Sequence, residues 1–170
     1  MDEQRSGFAH ARSAAVSLGG EADLSTAPVA GPRPDDHVRG EGGIVIFYGD
    51  FSCVPCAVAA QRLAAERVRV VFRHFALKTR HPRAVALAHA AEAAAAQGAF
   101  WPFHDSLYAD QGHIDDPHLW ARCERLGLDV GRFETDRRSA AVAERVRRDV
   151  REAMRAGLIS TPAIVRPTVD

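Results

Sequence analysis

The sequence predicts a mixed α/β domain in which short buried strands alternate with helices. The run Ile44–Tyr48 is continuous in β-branched and aromatic residues and has a glycine on each side, which is typical of a strand buried on both faces. Helix-forming residues then occupy positions 53–66, and a second strand is predicted at Val68–Phe75. Strands connected through a helix in this way are parallel neighbours joined by a right-handed crossover.

After this β-α-β unit the sequence is helical almost throughout, and it returns to strand character at Ala163–Val165. The bounds of the helices are predicted from apolar periodicity, from prolines in the first turn and from a glycine that ends the first helix. The predicted helices are Pro82–Gln97, Pro102–Asp110, Asp116–Leu126, Val130–Ser139 and Ala140–Ala156, with the last two expected to run together. Together they form a helical insertion at about 81–157.

The last of these helices carries a dense run of charges around a regular apolar stripe. Val142, Val146, Val150 and Met154 recur every four residues, which predicts one buried face. The charged residues between them are expected to form a solvated surface laced with ion pairs.

Residues 1–42 are predicted to be a flexible lead-in to a single domain at 43–170. Prolines and glycines are so frequent between residues 27 and 43 that no regular element is expected there. A short helix at Phe8–Leu18 is compatible with the composition, although no cap or periodicity requires it.

Composition excludes several classes of function. Apolar residues make up 46% of the chain, and 22 basic residues balance 22 acidic ones, whereas nucleic-acid binders and polybasic membrane modules need a basic surplus. No apolar run reaches the roughly 18 residues of a membrane-spanning helix. The amino terminus also lacks the apolar core of a secretory signal, so a cytoplasmic location is expected.

The strongest chemical signal is Cys53-Val54-Pro55-Cys56, where the first strand meets the following helix. Unsatisfied amides and the positive end of the dipole at a helix N-terminus stabilise a thiolate at Cys53. Pro55 costs little there, because first-turn N–H groups have no intrahelical partner. We therefore expect Cys53 to be the attacking thiol and Cys56, one turn later, to resolve the mixed disulfide.

Two other interpretations of this spacing remain open: a zinc-binding pair and two inert buried thiols. A zinc site needs a second ligand pair, and the remaining cysteine, Cys123, has His118 five positions away and no closer cysteine or histidine. Cys123 is interpreted as a small core residue, with a regulatory thiol as the alternative. No pair of the scattered histidines has the spacing and carboxylate partner of a metal site.

Several stretches in the same order resemble the DsbA-like branch of the thioredoxin superfamily. They are DDHVRG (35–40), YGDFSCVPC (48–56), VVFRHFAL (70–77), HPRA (81–84), AAEAAAAQGAFWPFHDSLY (90–108), LGLDVGRF (126–133) and STPAI (160–164). The sequence is most similar to the bacterial domains of this branch that occur alone or fused behind sodium/proton antiporters. The resemblance covers residues 30–165.

The resemblance implies a thioredoxin-like fold with the helical subdomain inserted between the second strand and a strand that opens on a cis proline. It implies that Cys53 and Cys56 are catalytic, and that Thr161 and the cis Pro162 form the substrate-binding loop, with Thr161 pairing its backbone with substrate. Asp50 and Phe51, which flank the motif, are assigned only a supporting role.

The implied activity is thiol–disulfide exchange with protein substrates, reset by a further redox partner. This activity needs no cofactor and no metal, because the two cysteines carry out the exchange themselves. The alternative is a truncated, non-catalytic module of the same fold that docks a partner protein, and a zinc-binding adaptor is the third hypothesis.

The sequence departs from this branch in two places. Relatives commonly have proline directly after the first cysteine, whereas here Pro55 precedes the second, and no histidine lies between the cysteines. We therefore expect a less oxidising protein than DsbA. Relatives also continue past the Thr-Pro strand into another strand and a closing helix, so the C-terminal part of the fold is expected to be truncated at Asp170.

Overall fold

The computed structural model describes residues 28–167; the predicted helix at Phe8–Leu18 lies outside them. Four strands and six helices follow one another along this part of the chain. In chain order they are β1 (His37–Arg39), β2 (Gly43–Gly49), α1 (Val54–Ala65), β3 (Val68–His74), α2 (Ala84–Ala95), α3 (Phe100–Ala109), α4 (Asp116–Arg125), α5 (Val130–Asp136), α6 (Ala140–Arg155) and β4 (Ala163–Val165).

The strands form one sheet in the order β1-β3-β2-β4. β2 and β3 are parallel, which confirms the crossover predicted from the β-α-β unit. β4 runs antiparallel to β2, with Ala163 opposite Tyr48 and Val165 opposite Ile46. This pairing brings the end of the helical insertion next to the strand that leads into the cysteine motif. The predicted mixed α/β fold with inserted helices is confirmed.

The segment before β2 differs from the prediction. His37–Arg39 forms β1, antiparallel to β3, so the expectation that no regular element forms between residues 27 and 43 is wrong. Upstream of β1, Arg33 donates to carboxylate oxygens of Asp36 and Asp149 at 2.7 Å each. Long-range pairing and ion pairs, which no local propensity encodes, thus hold residues 28–42 against the sheet and α6. The domain division at residue 43 stays a prediction.

The helical insertion contains one more break than predicted. α5 ends at Asp136, and Ser139 caps a separate α6 by accepting a hydrogen bond from the Val142 N–H, a role that serine fills at helix N-termini. The expected continuous helix is therefore two helices.

The charged face of α6 is only partly solvated. Asp149 is fully buried, accepting hydrogen bonds from Arg33 and from the His74 N–H. Met154, predicted on the buried stripe, is 61% exposed, and Ala153 is buried in its place. The α6 stripe is thus rotated relative to the prediction, because Asp149 faces inward to pair with Arg33, on the chain before β1.

Aromatic rings fill the space between the sheet and the inserted helices. Phe72 of β3 lies 5.4 Å, centroid to centroid, from both Phe47 and Phe51, and 4.9 Å from His104 of α3. The ring of Phe51 therefore anchors the loop after β2 to the core. Within residues 28–167, no helix combines the length and the apolar character needed to cross a bilayer.

Candidate active site

The loop between β2 and α1 carries the first cysteine of the motif. Cys53 is the N-cap of α1, with φ −89° and ψ 114°, and no side chain caps the helix there. Pro55 lies in the first turn of the helix, where its missing N–H leaves no hydrogen bond unmade. The free amides of this turn give the N-terminus of α1, where Cys53 lies, a partial positive charge.

Both cysteines of the motif are thiols in the structure. Cys53 is 4% exposed and Cys56 is fully buried, so both are shielded from solvent and Cys53 is the less buried of the two. Burial, reinforced by the neighbouring Cys53, raises the pKa of Cys56 to about 12. At neutral pH Cys56 is therefore a protonated thiol, and it needs a base or a released thiolate to remove its proton before it attacks.

The Thr-Pro loop lies directly opposite the first cysteine. The Thr161–Pro162 peptide bond is cis, and the Cys53 Sγ lies 3.6 Å from the Thr161 carbonyl oxygen in a thiol-to-carbonyl hydrogen bond. β4 begins immediately afterwards, at Ala163. The structure thus brings together Cys53, Cys56, Thr161 and Pro162, the four residues that the sequence singled out.

Asp50 and Phe51, which precede the cysteine motif, connect its loop to the interior of the protein. Asp50 is 3% exposed; its carboxylate accepts the Ser52 N–H at 2.8 Å and contacts His81 Nδ1 at 2.7 Å. Phe51 is buried in the aromatic core. His81, one of the histidines for which the sequence predicted no role at a metal site, is therefore a direct partner of this buried acid.

A tyrosine hydroxyl behind the cysteines has no counterpart in the sequence-based predictions. The Tyr108 hydroxyl is buried, and within residues 28–167 it makes no hydrogen bond. A Cβ added to Gly49 would lie 2.6 Å from it, so the absence of a side chain at Gly49 lets the phenol reach the end of β2. Burial raises the pKa of Tyr108, and nearby Cys56 and Asp50 raise it further, so the hydroxyl stays protonated.

A second missed residue is Gln111, on the loop after α3. Its Nε2 donates to the carbonyl oxygens of Phe51 and Cys53, at 2.8 and 3.0 Å. Neither Tyr108 nor Gln111 lies near the motif in sequence, and only the docking of the insertion on the sheet brings them there.

The third cysteine lies apart from the site. Cys123 is fully buried in the hydrophobic core beside Phe103 and Phe133, which confirms its interpretation as a core residue. Burial raises its pKa to about 11. In residues 28–167 no three His, Cys, Asp or Glu side chains are grouped so that they could hold a metal ion, which leaves the zinc hypothesis without a ligand set there.

The chain matches a known family over most of this structure. The sequence model of the DSBA-like thioredoxin domain matches residues 64–166, from the end of α1 through the helical insertion and β4. The match therefore includes Thr161 and Pro162 and lies directly downstream of the two cysteines.

Its similar curated relatives are much longer proteins. The chain is 43% identical over 141 residues to the Na+/H+ antiporter NhaA 1 of Salinispora arenicola, covering 76% of this chain and 21% of that protein. It is 39% identical over 166 residues to the antiporter NhaA 3 of Salinispora tropica, covering 91% of this chain and 25% of that protein. The chain thus spans only about a quarter or less of these relatives.

Solved structures of similar fold support the architecture. A thioredoxin-like oxidoreductase from Silicibacter pomeroyi superposes with a TM-score of 0.70 at 24% identity, over 78% of this chain and 80% of that one. Wolbachia pipientis α-DsbA1 gives a TM-score of 0.66 at 17% identity, over 78% and 75%. At these identities the likeness establishes the fold.

Proposed function

The chain belongs to the family of DsbA-like thioredoxin domains, and from that premise we propose that it is an enzyme exchanging disulfides with protein substrates through Cys53 and Cys56. The observation that carries the proposal is the position of the Cys53 thiol. It lies at the N-terminus of a helix and 3.6 Å from the Thr161 carbonyl oxygen. A thiol at a helix N-terminus, facing an open backbone segment, is suited to attack a disulfide presented beside it.

The reaction proceeds in two exchange steps. The Cys53 thiolate attacks one sulfur of the substrate disulfide, which forms a mixed disulfide and releases the other substrate sulfur as a thiolate. Cys56 then loses its proton and attacks the Cys53 Sγ, which forms the Cys53–Cys56 disulfide and releases the second substrate sulfur. Two electrons pass from the protein to the substrate, and the reverse sequence oxidises a substrate dithiol.

Thr161 and Pro162 are proposed to hold the substrate during these steps. An extended substrate segment would hydrogen-bond to the Thr161 backbone, as a strand adds to a sheet edge. Contact of the Thr161 carbonyl with the Cys53 Sγ supports this role, because a segment bound there has its sulfur within reach of the attacking thiol. Pro162 has no N–H and directs the loop into β4.

The dipeptide between the cysteines is proposed to set a reducing potential. Val54 and Pro55 supply no cation to the thiolate, whereas a neighbouring histidine would stabilise it and make the pair more oxidising. The proposed protein is therefore less oxidising than DsbA. The cytoplasmic location and the redox partner that would reset the pair stay predictions.

The test is an equilibrium redox titration of the purified protein in glutathione and dithiothreitol buffers, with free thiols trapped and mapped. We expect a reversible two-electron transition confined to Cys53 and Cys56, and loss of reduction of a model disulfide in Cys53→Ser. Cys123→Ser is the control and should retain both. Absence of a redox transition in the folded protein would contradict the proposal that the chain exchanges disulfides.

A docking module without turnover is the second candidate function. The relatives favour it, because the matched segment makes up only about a quarter or less of proteins named as antiporters. Binding to a partner protein would then be unchanged in Cys53→Ser, whereas a substrate captured by the enzyme would be lost from that variant. Comparing capture by Cys53→Ser and Cys56→Ser separates the two, since only Cys56→Ser can trap a mixed disulfide.

A further inference from the structure

One side chain of the helical insertion hydrogen-bonds to the backbone carbonyls of the cysteine loop. Gln111 follows α3, and its amide Nε2 donates to two carbonyl oxygens at once, those of Phe51 and Cys53. In the part of the chain between residues 28 and 167, no other side chain outside this loop donates to its carbonyls. Gln111 therefore bridges the insertion and the residue that carries the attacking thiol.

The two acceptors belong to the backbone that leads into α1. The Cys53 carbonyl oxygen also accepts the Cys56 and Ala57 N–H groups, at 3.1 and 3.4 Å, so it begins the hydrogen-bond pattern of α1. No side chain caps the helix at Cys53. One amide thus holds the carbonyls on both sides of Ser52, next to the residue whose Sγ contacts the Thr161 carbonyl oxygen.

Gln111 is itself rigidly supported. Arg122 of α4 is 1% exposed and donates to the carbonyl oxygens of Asp110, at 2.7 Å, and of His113. These two carbonyls lie on either side of Gln111 in the chain. A buried arginine thus holds the loop in the position from which the glutamine reaches the cysteines.

We propose that Gln111 is a positioning residue for the attacking thiol, through which the helical insertion sets the reactivity of Cys53. The proposal deepens the proposed function and rests on it. The amide neutralises part of the negative charge on the Phe51 and Cys53 carbonyl oxygens, and this reduces their repulsion of a thiolate at Cys53. Without the amide, the same carbonyls disfavour the thiolate, and hence the reduced form of the pair.

The experiment compares Gln111→Met, which keeps the length of the side chain and removes its donor, with Gln97→Met. Gln97 is a matched control because its side chain also makes two backbone hydrogen bonds, both to Asp129, at 2.9 and 3.0 Å, far from the cysteines. Thermal unfolding of each variant monitors the general structural cost. Alkylation of Cys53 by iodoacetamide, followed by peptide mapping as a function of pH, monitors the thiol.

We expect Gln111→Met to slow Cys53 alkylation at pH 7 by about three- to tenfold and to move the pH profile upward. Its redox equilibrium with glutathione should shift toward the disulfide by a similar factor, and tenfold corresponds to about 30 mV. Gln111→Glu, which donates no hydrogen bond at neutral pH, should show at least the same shift and serves if the methionine variant does not fold. Gln97→Met should leave both readouts at wild-type values.

The proposal would be overturned if Cys53 alkylation in folded Gln111→Met or Gln111→Glu had the same pH profile as in Gln97→Met. Alkylation needs no disulfide substrate, so this result is distinct from failure of the proposed function. That failure would instead appear in the wild-type protein as the absence of a redox transition, whatever the alkylation profiles of the variants.

Discussion

Arg73 of β3 and Asp36, which precedes β1, form an ion pair of 2.8 Å in which neither side chain is exposed to solvent. The Arg73 guanidinium also donates to the carbonyl oxygens of Ala30 and Gly31, at 2.8 and 2.7 Å. An isolated buried charge costs several kcal/mol, whereas a buried charge with all its partners in place is tolerated. The pair therefore makes the segment before β1 part of the folded unit.

Replacing the acid of this pair should destabilise the fold far more than replacing its neighbour. Asp36→Asn removes the nearer counter-charge of the buried Arg73 guanidinium and leaves only Glu152 within residues 28–167, at 3.9 Å, and we expect a loss of about 3 kcal/mol. Asp35→Asn removes a half-exposed acid that pairs with Arg145 and Arg148, and should cost less than about 1 kcal/mol. Urea unfolding of both variants measures the difference, and equal losses would show that the buried pair carries no special weight.

The same acid predicts how stability depends on pH. Hydrogen bonds from Arg73 and Arg33 outweigh burial and lower the pKa of Asp36 to about 2, compared with about 3.9 in an unfolded chain. Between these values the unfolded state binds more protons, so the Asp36 contribution is present above about pH 4 and is lost as the pH falls toward 2. It amounts to about 2 kcal/mol.

Urea midpoints measured from pH 5 down to pH 2 test this contribution. The free energy of unfolding of the wild type should fall more steeply than that of Asp36→Asn over this range. Parallel curves would contradict the assignment.

The two tyrosines of the chain should respond in opposite ways to loss of the hydroxyl. The buried Tyr108 hydroxyl finds no hydrogen-bond partner among residues 28–167, so Tyr108→Phe should be neutral or stabilising by up to about 1 kcal/mol. Tyr48 accepts a hydrogen bond from Arg73 at 3.2 Å, and Tyr48→Phe should cost about 1–2 kcal/mol. Thermal unfolding of the two variants in parallel measures both changes in stability. Destabilisation by Tyr108→Phe would contradict the prediction and indicate a hydrogen-bond partner for the Tyr108 hydroxyl.

The dipeptide of the motif predicts where the redox potential lies. Thiol–disulfide proteins of this superfamily span roughly −270 to −120 mV, with thioredoxin at the reducing end. We expect the Cys53–Cys56 pair to lie nearer the reducing end, and Pro55→His to move it toward the oxidising end because an imidazolium stabilises the thiolate. Val54→Ala is the control and should change the midpoint little. A wild-type midpoint near −120 mV would refute this prediction.

Local patterns predicted the centre of the molecule well. β2, α1 and β3 lie within two residues of their predicted bounds, because a buried strand flanked by glycines and an alanine-rich helix have unambiguous local signals. β1 was missed because it has three residues and depends on its pairing with β3. The rotation of α6 was missed for a related reason: the partner of Asp149 is Arg33, 116 residues earlier.

The sequence predicted those residues of the candidate site that belong to short motifs. Cys53, Cys56 and the Thr-Pro loop were recognised from their spacing and order along the chain. Gln111 was not, because it contacts Cys53 across 58 residues and its neighbours form no pattern that predicts a functional residue. Side chains that act through the tertiary fold carry no local signature.

β4 has three residues, and in the described part of the chain it pairs only with β2. It nevertheless holds the contact between Cys53 and Thr161, which spans 108 residues. Closing so long a loop is entropically costly, so we expect this contact to form late in folding. Opening of a short edge strand costs less than global unfolding. The two halves of the site can therefore separate transiently while the β2–α1–β3 unit stays folded, and the backbone amides of β4 should exchange with deuterium before those of β3.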